Sequence, residues 1–256
     1  MRRTRLRYLK PHPPLANFAP GELAIFLDLD GTLVPIAERP SAITIDDHLR
    51  DVLGMLHQRS GGALALISGR SIDDLDRQLK PLMLPTAGQH GLERRSASGI
   101  RTAMGSKESL NPAKQAIQTL LQHHTDLLVE DKGLSLAVHY RNRPVLASWL
   151  HRSLRARVTD HSPDLTLQRG KRVIEIKLAG ADKGKAIAAF LDESPFRERR
   201  AVFIGDDHTD EHGFAVVNAA HGLSVKVGGG ATAASYRLPD VAAVIALLTA
   251  IAEGNS

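Results

Sequence analysis

Residues 23–32 read LAIFLDLDGT. An apolar run from Leu23 to Leu27 passes into Asp28, Leu29 and Asp30 and ends in Gly31-Thr32, the pattern of a buried strand that opens into a loop. Asp28 and Asp30 flank Leu29, so in extended backbone both carboxylates point to one face at the strand's carboxyl end. An Asp-Gly turn after a strand is the plainer reading of these residues taken alone. Nothing structural asks for the pairing, however. Two unit charges about 4 Å apart repel by roughly 1 kcal/mol in water and about 4 kcal/mol at an effective dielectric of 20. A cation or a shifted pKa has to compensate.

Outward from this strand, Asp46 to Arg59 carries helical spacing in Leu49, Val52, Leu53 and Leu56, and Gly61-Gly62 closes it. Ala63 to Ile67 is a second short strand, ending at Ser68-Gly69-Arg70. The unit is β-α-β. Parallel strands joined in this way bind ligands beyond their carboxyl ends. Ile72 to Lys80 is a predicted helix, and Thr86 to Glu93 is polar and glycine-rich. From Gly105 the pattern changes. Asn111 to His123 and Pro144 to Arg157 read as helices. Leu134 to Arg141 alternates, with Leu134, Leu136, Val138 and Tyr140 on one face and Ser135, Ala137, His139 and Arg141 on the other, while Ile174 and Ile176 point inward and Glu175 and Lys177 outward. This part is expected to be an α+β module with one open polar sheet face. The core pattern returns with a helix at Lys183 to Leu191, a strand at Ala201 to Ile204, the loop Gly205 to Glu211 and a closing helix from Val241. The expected fold class is α/β: a Rossmann-like parallel-sheet core, 21–104 and 179–256, with an inserted α+β cap, 105–178, behind a flexible basic tail, 1–20.

With 43% hydrophobic and 24% charged residues in 256, the composition is that of a soluble globular enzyme and not of a disordered chain. Cysteine is absent, which excludes disulfides and thiolate chemistry and fits a cytoplasmic location. Arg2, Arg3, Arg5 and Arg7 run into Pro11, Pro13 and Pro14 without the apolar stretch of a secretory signal. Val241 to Ala252 is too short to span a bilayer, so no membrane partner is expected. The net charge of +5 is spread along the chain and only 4% of residues are aromatic, which argues against nucleic acid and suits a small anionic substrate.

A second acidic loop lies at the end of another apolar strand. Asp206, Asp207, Asp210 and Glu211 put four carboxylates within six residues, directly after Val202-Phe203-Ile204. Such a cluster repels itself without a metal, and oxygen ligands select a hard cation such as Mg2+, which takes one or two carboxylates plus water and a phosphate oxygen. Ser68-Gly69 offers a hydroxyl and accessible backbone N–H groups at a strand end. Lys183, beside Gly184 at a predicted helix start, adds a cation near helix-terminal donors.

The order DLDGT, SGR, a lysine before glycine, then GDDHTD resembles the haloacid dehalogenase-like (HAD-like) phosphatase superfamily, over nearly the whole chain. The resemblance implies that Asp28 is the nucleophile, Asp30 the general acid and base, and Ser68 and Lys183 the phosphoryl-binding pair, with Gly69 and Arg70 beside them. It implies Mg2+ held by Asp28, the Asp30 carbonyl and Asp206, with Asp207 or Asp210 in support.

A narrower resemblance, to the trehalose 6-phosphate phosphatases, rests on AGQHGLE (87–93), VEDKGLSLAVHYR (129–141), GKRVIEIKLAGADKG (170–184) and FIGDDHTDE (203–211). It implies that His90 and Glu93 lie at the junction of core and cap, that Lys132, Arg141 and Glu175 meet the disaccharide and its phosphate, and that the chain serves trehalose synthesis with a functional link to a trehalose-phosphate synthase. Leu178 departs from this pattern, since many relatives carry proline there. The alternatives are a phosphatase for sucrose 6-phosphate or glucosyl-3-phosphoglycerate, and a non-catalytic sensor or synthase partner.

Overall fold

The computed structural model describes residues 12–37, 43–159, 162–170 and 172–254. Its chain divides into two units, one formed by 1–101 with 182–256 and one by 102–181.

In the first unit the strand of the opening motif is β1 (Leu23–Leu27), all five residues buried. Asp46 caps α1 (Asp47–Arg59) by accepting from the Leu49 amide, which satisfies one of the donors left open at a helix start. The helix buries Leu49, Val52, Leu53 and Leu56, the spacing read from the sequence. Then follow β2 (Leu64–Ile67), α2 (Ile72–Leu79), β3 (Thr86–Gly88) and β4 (Glu93–Arg95), and β5 (Arg101–Ala103) begins at the last residue of this stretch and runs into the inserted one. After the inserted unit come α5 (Lys183–Leu191), β10 (Arg200–Gly205), α6 (Glu211–Ala219), β11 (Leu223–Val227), β12 (Tyr236–Leu238) and α7 (Val241–Glu253). The sheet order is β12-β11-β10-β1-β2-β3-β4-β5. From β12 to β3 the neighbours pair in parallel, and β4 turns back antiparallel on β3.

Both faces of this sheet are covered, as a parallel sheet requires. Leu27, Leu49, Val52, Leu66, Ile204 and Leu248 belong to one apolar cluster. Phe26, Phe190, Phe196, Phe203 and Phe214 belong to the other. The central pair is β1 with β10, in the register Ile25 to Val202 and Leu27 to Ile204. The acidic stretches that follow β1 and β10 therefore emerge side by side.

Two expectations change here. Arg2, Arg3, Arg5, Arg7 and Pro11 of the expected tail lie outside the described residues, but its later part is packed: Leu15 is 1% exposed and joins the core cluster that includes Leu247 and Leu248. Phe18 packs against the same cluster, so two apolar side chains hold the segment. The second half of the core also has more regular structure than its pattern suggested, since α6, β11 and β12 stand between the acidic loop and the closing helix.

The second unit holds an antiparallel sheet in the order β6-β7-β9-β8, from β6 (Leu128–Asp131), β7 (Ser135–His139), β8 (Leu165–Gly170) and β9 (Val173–Leu178). Leu136, Val138, Ile174 and Ile176 pack with residues of α3 (Asn111–Leu121) and α4 (Ala147–Leu154), namely Ala113, Ile117, Leu150 and Leu154. The opposite face carries Glu130, Ala137, Glu175 and Gln168 in one cross-strand row. That face was expected to be open, yet Ser135, Ala137, Glu175 and Lys177 are all buried. Buried charges must be paired. Lys132 Nζ and Ser135 Oγ donate to Glu175 Oε1 at 3.0 and 2.9 Å, and Lys177 Nζ donates to the Ala181 carbonyl at 2.6 Å. Leu178 lies against Gly105, whose positive φ of 78° favours glycine; a Cβ there would stand 2.0 Å from Leu178 Cδ1 and oblige that side chain to turn away.

Candidate active site

The site lies wholly within the first unit, at the carboxyl ends of β1, β2 and β10. Asp28 is 4% exposed and stands beside two other buried carboxylates, Asp206 and Asp210; one oxygen of each lies within 4.8 Å of the others. Lys183, at the start of α5, donates to Asp28 Oδ1 at 2.7 Å and to Asp210 Oδ1 at 2.6 Å. Thr32 Oγ1 donates to Asp28 Oδ2 at 3.1 Å. The motif's threonine thus returns to its own aspartate.

Burial pushes the Asp28 carboxyl well above its ordinary range; Lys183 opposes this, and the neighbouring Asp210 and Asp206 reinforce it. Burial works against the charge of Lys183, but Asp210 and Asp28 outweigh it and hold the ammonium protonated above the usual lysine range. Three carboxylates against one ammonium leave an excess of negative charge in a dry place. A divalent cation fits this donor set: all oxygen, buried, and too negative to be stable alone.

The loop after β10 is built to hold that arrangement. Asp210 Oδ2 accepts from the Asp207 amide at 2.8 Å, so both oxygens of Asp210 are engaged, one by Lys183 and one by the loop backbone. Asp210 is a brace. Asp207 lies outside the three-carboxylate group and starts the turn that carries Asp210 inward. Gly31 has φ +88°, and a Cβ there would lie 2.2 Å from Asp206 Oδ2. Glycine at 31 leaves room for the Asp206 carboxylate in its present place and adopts this φ without strain.

Ser68 is fully buried at the end of β2, and its Oγ accepts from the Arg70 amide at 3.2 Å. Asp30 lies on the rim, its side chain 35% exposed. Arg70 holds it: Nε donates to Asp30 Oδ2 and Nη2 to Oδ1, both at 2.7 Å, while Nη1 reaches Asp74 Oδ2 at 2.8 Å. These partners keep the guanidinium above its ordinary pKa although burial acts in the other direction. Sequence reading grouped Arg70 with the substrate ligands and had no signal for the Asp30 clamp, which depends on residues forty positions apart.

Gln89, His90 and Gly91 all have positive φ, a costly run for the first two, and it sets the His90 ring against Gly69. A Cβ on Gly69 would lie 2.6 Å from His90 Nε2. Glu93 Oε1 accepts from the Ile72 amide at 3.0 Å, at the start of α2, and from Gln89 Nε2 at 2.9 Å. It therefore ties the strained 89–91 segment to the helix behind Ser68-Gly69-Arg70. Lys132, Glu175 and Arg141 belong to the other unit, with the first two ion-paired and Arg141 exposed.

The family model described as trehalose-phosphatase matches residues 26–242. The chain belongs to the trehalose-phosphatase family. It is 44% identical over 230 residues to the trehalose-6-phosphate phosphatase of Escherichia coli, covering 88% of this chain and 86% of that one. It is 40% identical over 205 residues to a probable trehalose-phosphate phosphatase of Sinorhizobium fredii, covering 80% and 77%. Among solved structures, the C-terminal domain of the C. albicans trehalose-6-phosphate phosphatase superposes with a TM-score of 0.80 at 21% identity, over 96% of this chain and 99% of that one, a likeness of fold. Among the described residues of this trehalose-phosphatase family member, no helix is long and apolar enough to cross a membrane.

Proposed function

We infer that the protein hydrolyses trehalose 6-phosphate to trehalose and inorganic phosphate through a phosphorylated Asp28. The observation that carries this reading is the buried group of Asp28, Lys183, Asp206 and Asp210 in a chain of the trehalose-phosphatase family. In the first step Asp28 attacks phosphorus, the bond from phosphorus to the sugar oxygen breaks, and Asp30 gives that oxygen its proton. In the second, Asp30 takes a proton from the water that attacks the acyl phosphate, and phosphate leaves with Asp28 restored. A carboxylate nucleophile divides one difficult displacement into two easier ones.

Lys183 holds Asp28 in place and faces the transferring phosphoryl group, with Ser68 and the Gly69 amide as further donors. Asp28, Asp206 and the Asp30 carbonyl are the ligands we assign to Mg2+, which when bound neutralises phosphoryl oxygens. His90 and Glu93 shape the loop beside Gly69, and Lys132, Arg141 and Glu175 recognise the sugar. A cytoplasmic setting and a link to a trehalose-phosphate synthase complete the proposal; the substrate is a disaccharide phosphate, which a glycosyl transfer to a sugar phosphate must first supply.

The test is phosphate release from trehalose 6-phosphate, sucrose 6-phosphate, glucose 6-phosphate and nitrophenyl phosphate, each with Mg2+ and with chelator. Strong Mg2+-dependent preference for the first is expected. Turnover of nitrophenyl phosphate alone keeps the core chemistry and removes the assigned sugar contacts, while silence on all four removes the enzymatic reading.

A further inference from the structure

β11 is buried along its whole length, yet its fourth residue is a lysine. Lys226 is 6% exposed, and its Nζ donates to the carbonyl oxygens of Asp206 and Val227, both at 2.6 Å. Withdrawing an ammonium from water is costly unless hydrogen bonds and opposite charge replace the solvent. The sheet explains where it goes. In the β10–β11 register Gly205 stands opposite Lys226 and is the last pair. One residue past the end of β11, the Gly228 amide donates to the Leu238 carbonyl at 2.9 Å, on the β12 side. At the point where the acidic loop leaves the sheet, the Lys226 ammonium holds the Asp206 carbonyl.

We propose that Lys226 is a positioning residue for the divalent-cation site: by fixing the Asp206 peptide it aims the Asp206 carboxylate at the gap shared with Asp28 and Asp210. This rests on the reading that these carboxylates hold a cation. Two other roles for Lys226 give opposite results. A lysine that only offsets the negative cluster would, on removal, leave the site more negative and raise its affinity for cations. A lysine that only fills its strand would, on removal, lower thermal stability and leave cation affinity alone.

The experiment is calorimetric titration of the metal-free full chain with Mg2+, in wild type, Lys226→Met, Lys226→Gln, Val225→Ala and Asp206→Asn, with thermal unfolding in chelator run in parallel. Partners that orient a metal ligand are worth about 10- to 100-fold in metal affinity. Lys226→Met is expected to weaken Mg2+ binding by about tenfold or more within that range, and Lys226→Gln, which keeps one donor, by less. Val225→Ala is a cavity control on the same buried strand, expected to melt earlier at wild-type affinity. Unchanged or tighter Mg2+ binding in Lys226→Met overturns the proposal; if that variant does not fold, the same result in Lys226→Gln does so. A wild type that binds no Mg2+, or an Asp206→Asn variant that binds it as wild type does, removes the cation site itself and the proposal with it.

Discussion

The guanidinium of Arg70 grips both carboxylate oxygens of Asp30, at 2.7 Å each, and is itself anchored to Asp74 at 2.8 Å. Asp30 is thereby held at the rim, with its side chain partly exposed. Arg70→Met is expected to free this carboxylate. A well-placed general acid is worth about 10² to 10⁴ in rate, so losing its placement should lower kcat on the sugar phosphate by about 10- to 100-fold. Nitrophenyl phosphate, whose leaving group needs little protonation, should lose far less. An equal rise in KM for both substrates would instead make Arg70 a phosphate ligand.

Asp28→Asn keeps the shape of the site and removes the nucleophile. Phosphate release should fall by more than about 10³-fold while the substrate still binds. Near-normal release from this variant would refute a covalent intermediate.

Lys183→Met leaves Asp28 and Asp210 buried without the ammonium they share. Breaking a buried charge group by removing one member costs about 3–5 kcal/mol, so the metal-free variant should melt well below wild type. A divalent cation that binds only the native arrangement should recover part of the difference, and Mg2+ is the one to add. Equal melting of variant and wild type in chelator would contradict the burial argument.

Gly31→Ala sets a methyl group 2.2 Å from Asp206 Oδ2 at a backbone φ that disfavours a side chain. The carboxylate must move. The expected result is activity that demands a much higher Mg2+ concentration, read from Mg2+ activation curves; an unchanged curve would show that the two loops have slack.

Glu130 predicts a pH effect in the inserted unit. Burial raises its pKa, but the hydrogen bond with His139 and the charges of Lys132 and His139 outweigh this and leave the pKa below the ordinary value. For a depressed carboxyl the stabilisation is fully present above the unfolded-state pKa and is lost as pH falls through the folded-state one. Glu130→Gln should therefore cost about 1 kcal/mol near neutral pH, and the gap to wild type should close in acid. A gap that persists below that range would assign the cost to packing.

The parts of the site read directly from sequence were those whose signal is local. A carboxylate pair at a strand end, a strand running into Asp206-Asp207, and Lys183 at a helix start each announce themselves within a few residues. The partners that tune them do not. Thr32 on Asp28 depends on the turn that the loop takes, and Arg70 on Asp30 depends on β1 lying beside β2. β11 escaped notice because Lys226 interrupts LSVKV, so a fully buried strand lacked a continuous apolar run. α6 was hidden by Gly213, which looks like a breaker but is demanded by Phe203, whose ring atom lies 2.4 Å from where a Cβ would stand. The polar face of the inserted sheet was read as open because alternation reports which side chains share a face and not what pairs them. Glu175 is buried with Lys132 and Ser135 as hydrogen-bond partners, contacts that alternation does not report.

The pairing of β1 with β10 has a consequence for biosynthesis. Leu23–Leu27 leaves the ribosome more than 170 residues before one of its two neighbours in the sheet, Arg200–Gly205. Until then that edge of an apolar strand stays unpaired, and long-range parallel pairing is slow to form and prone to association. Nonsense or frameshift products that stop before Arg200 should collect in the insoluble fraction, and the acidic centre can assemble only after Asp210 has emerged. Catalytic competence is thus tied to synthesis through Asp210.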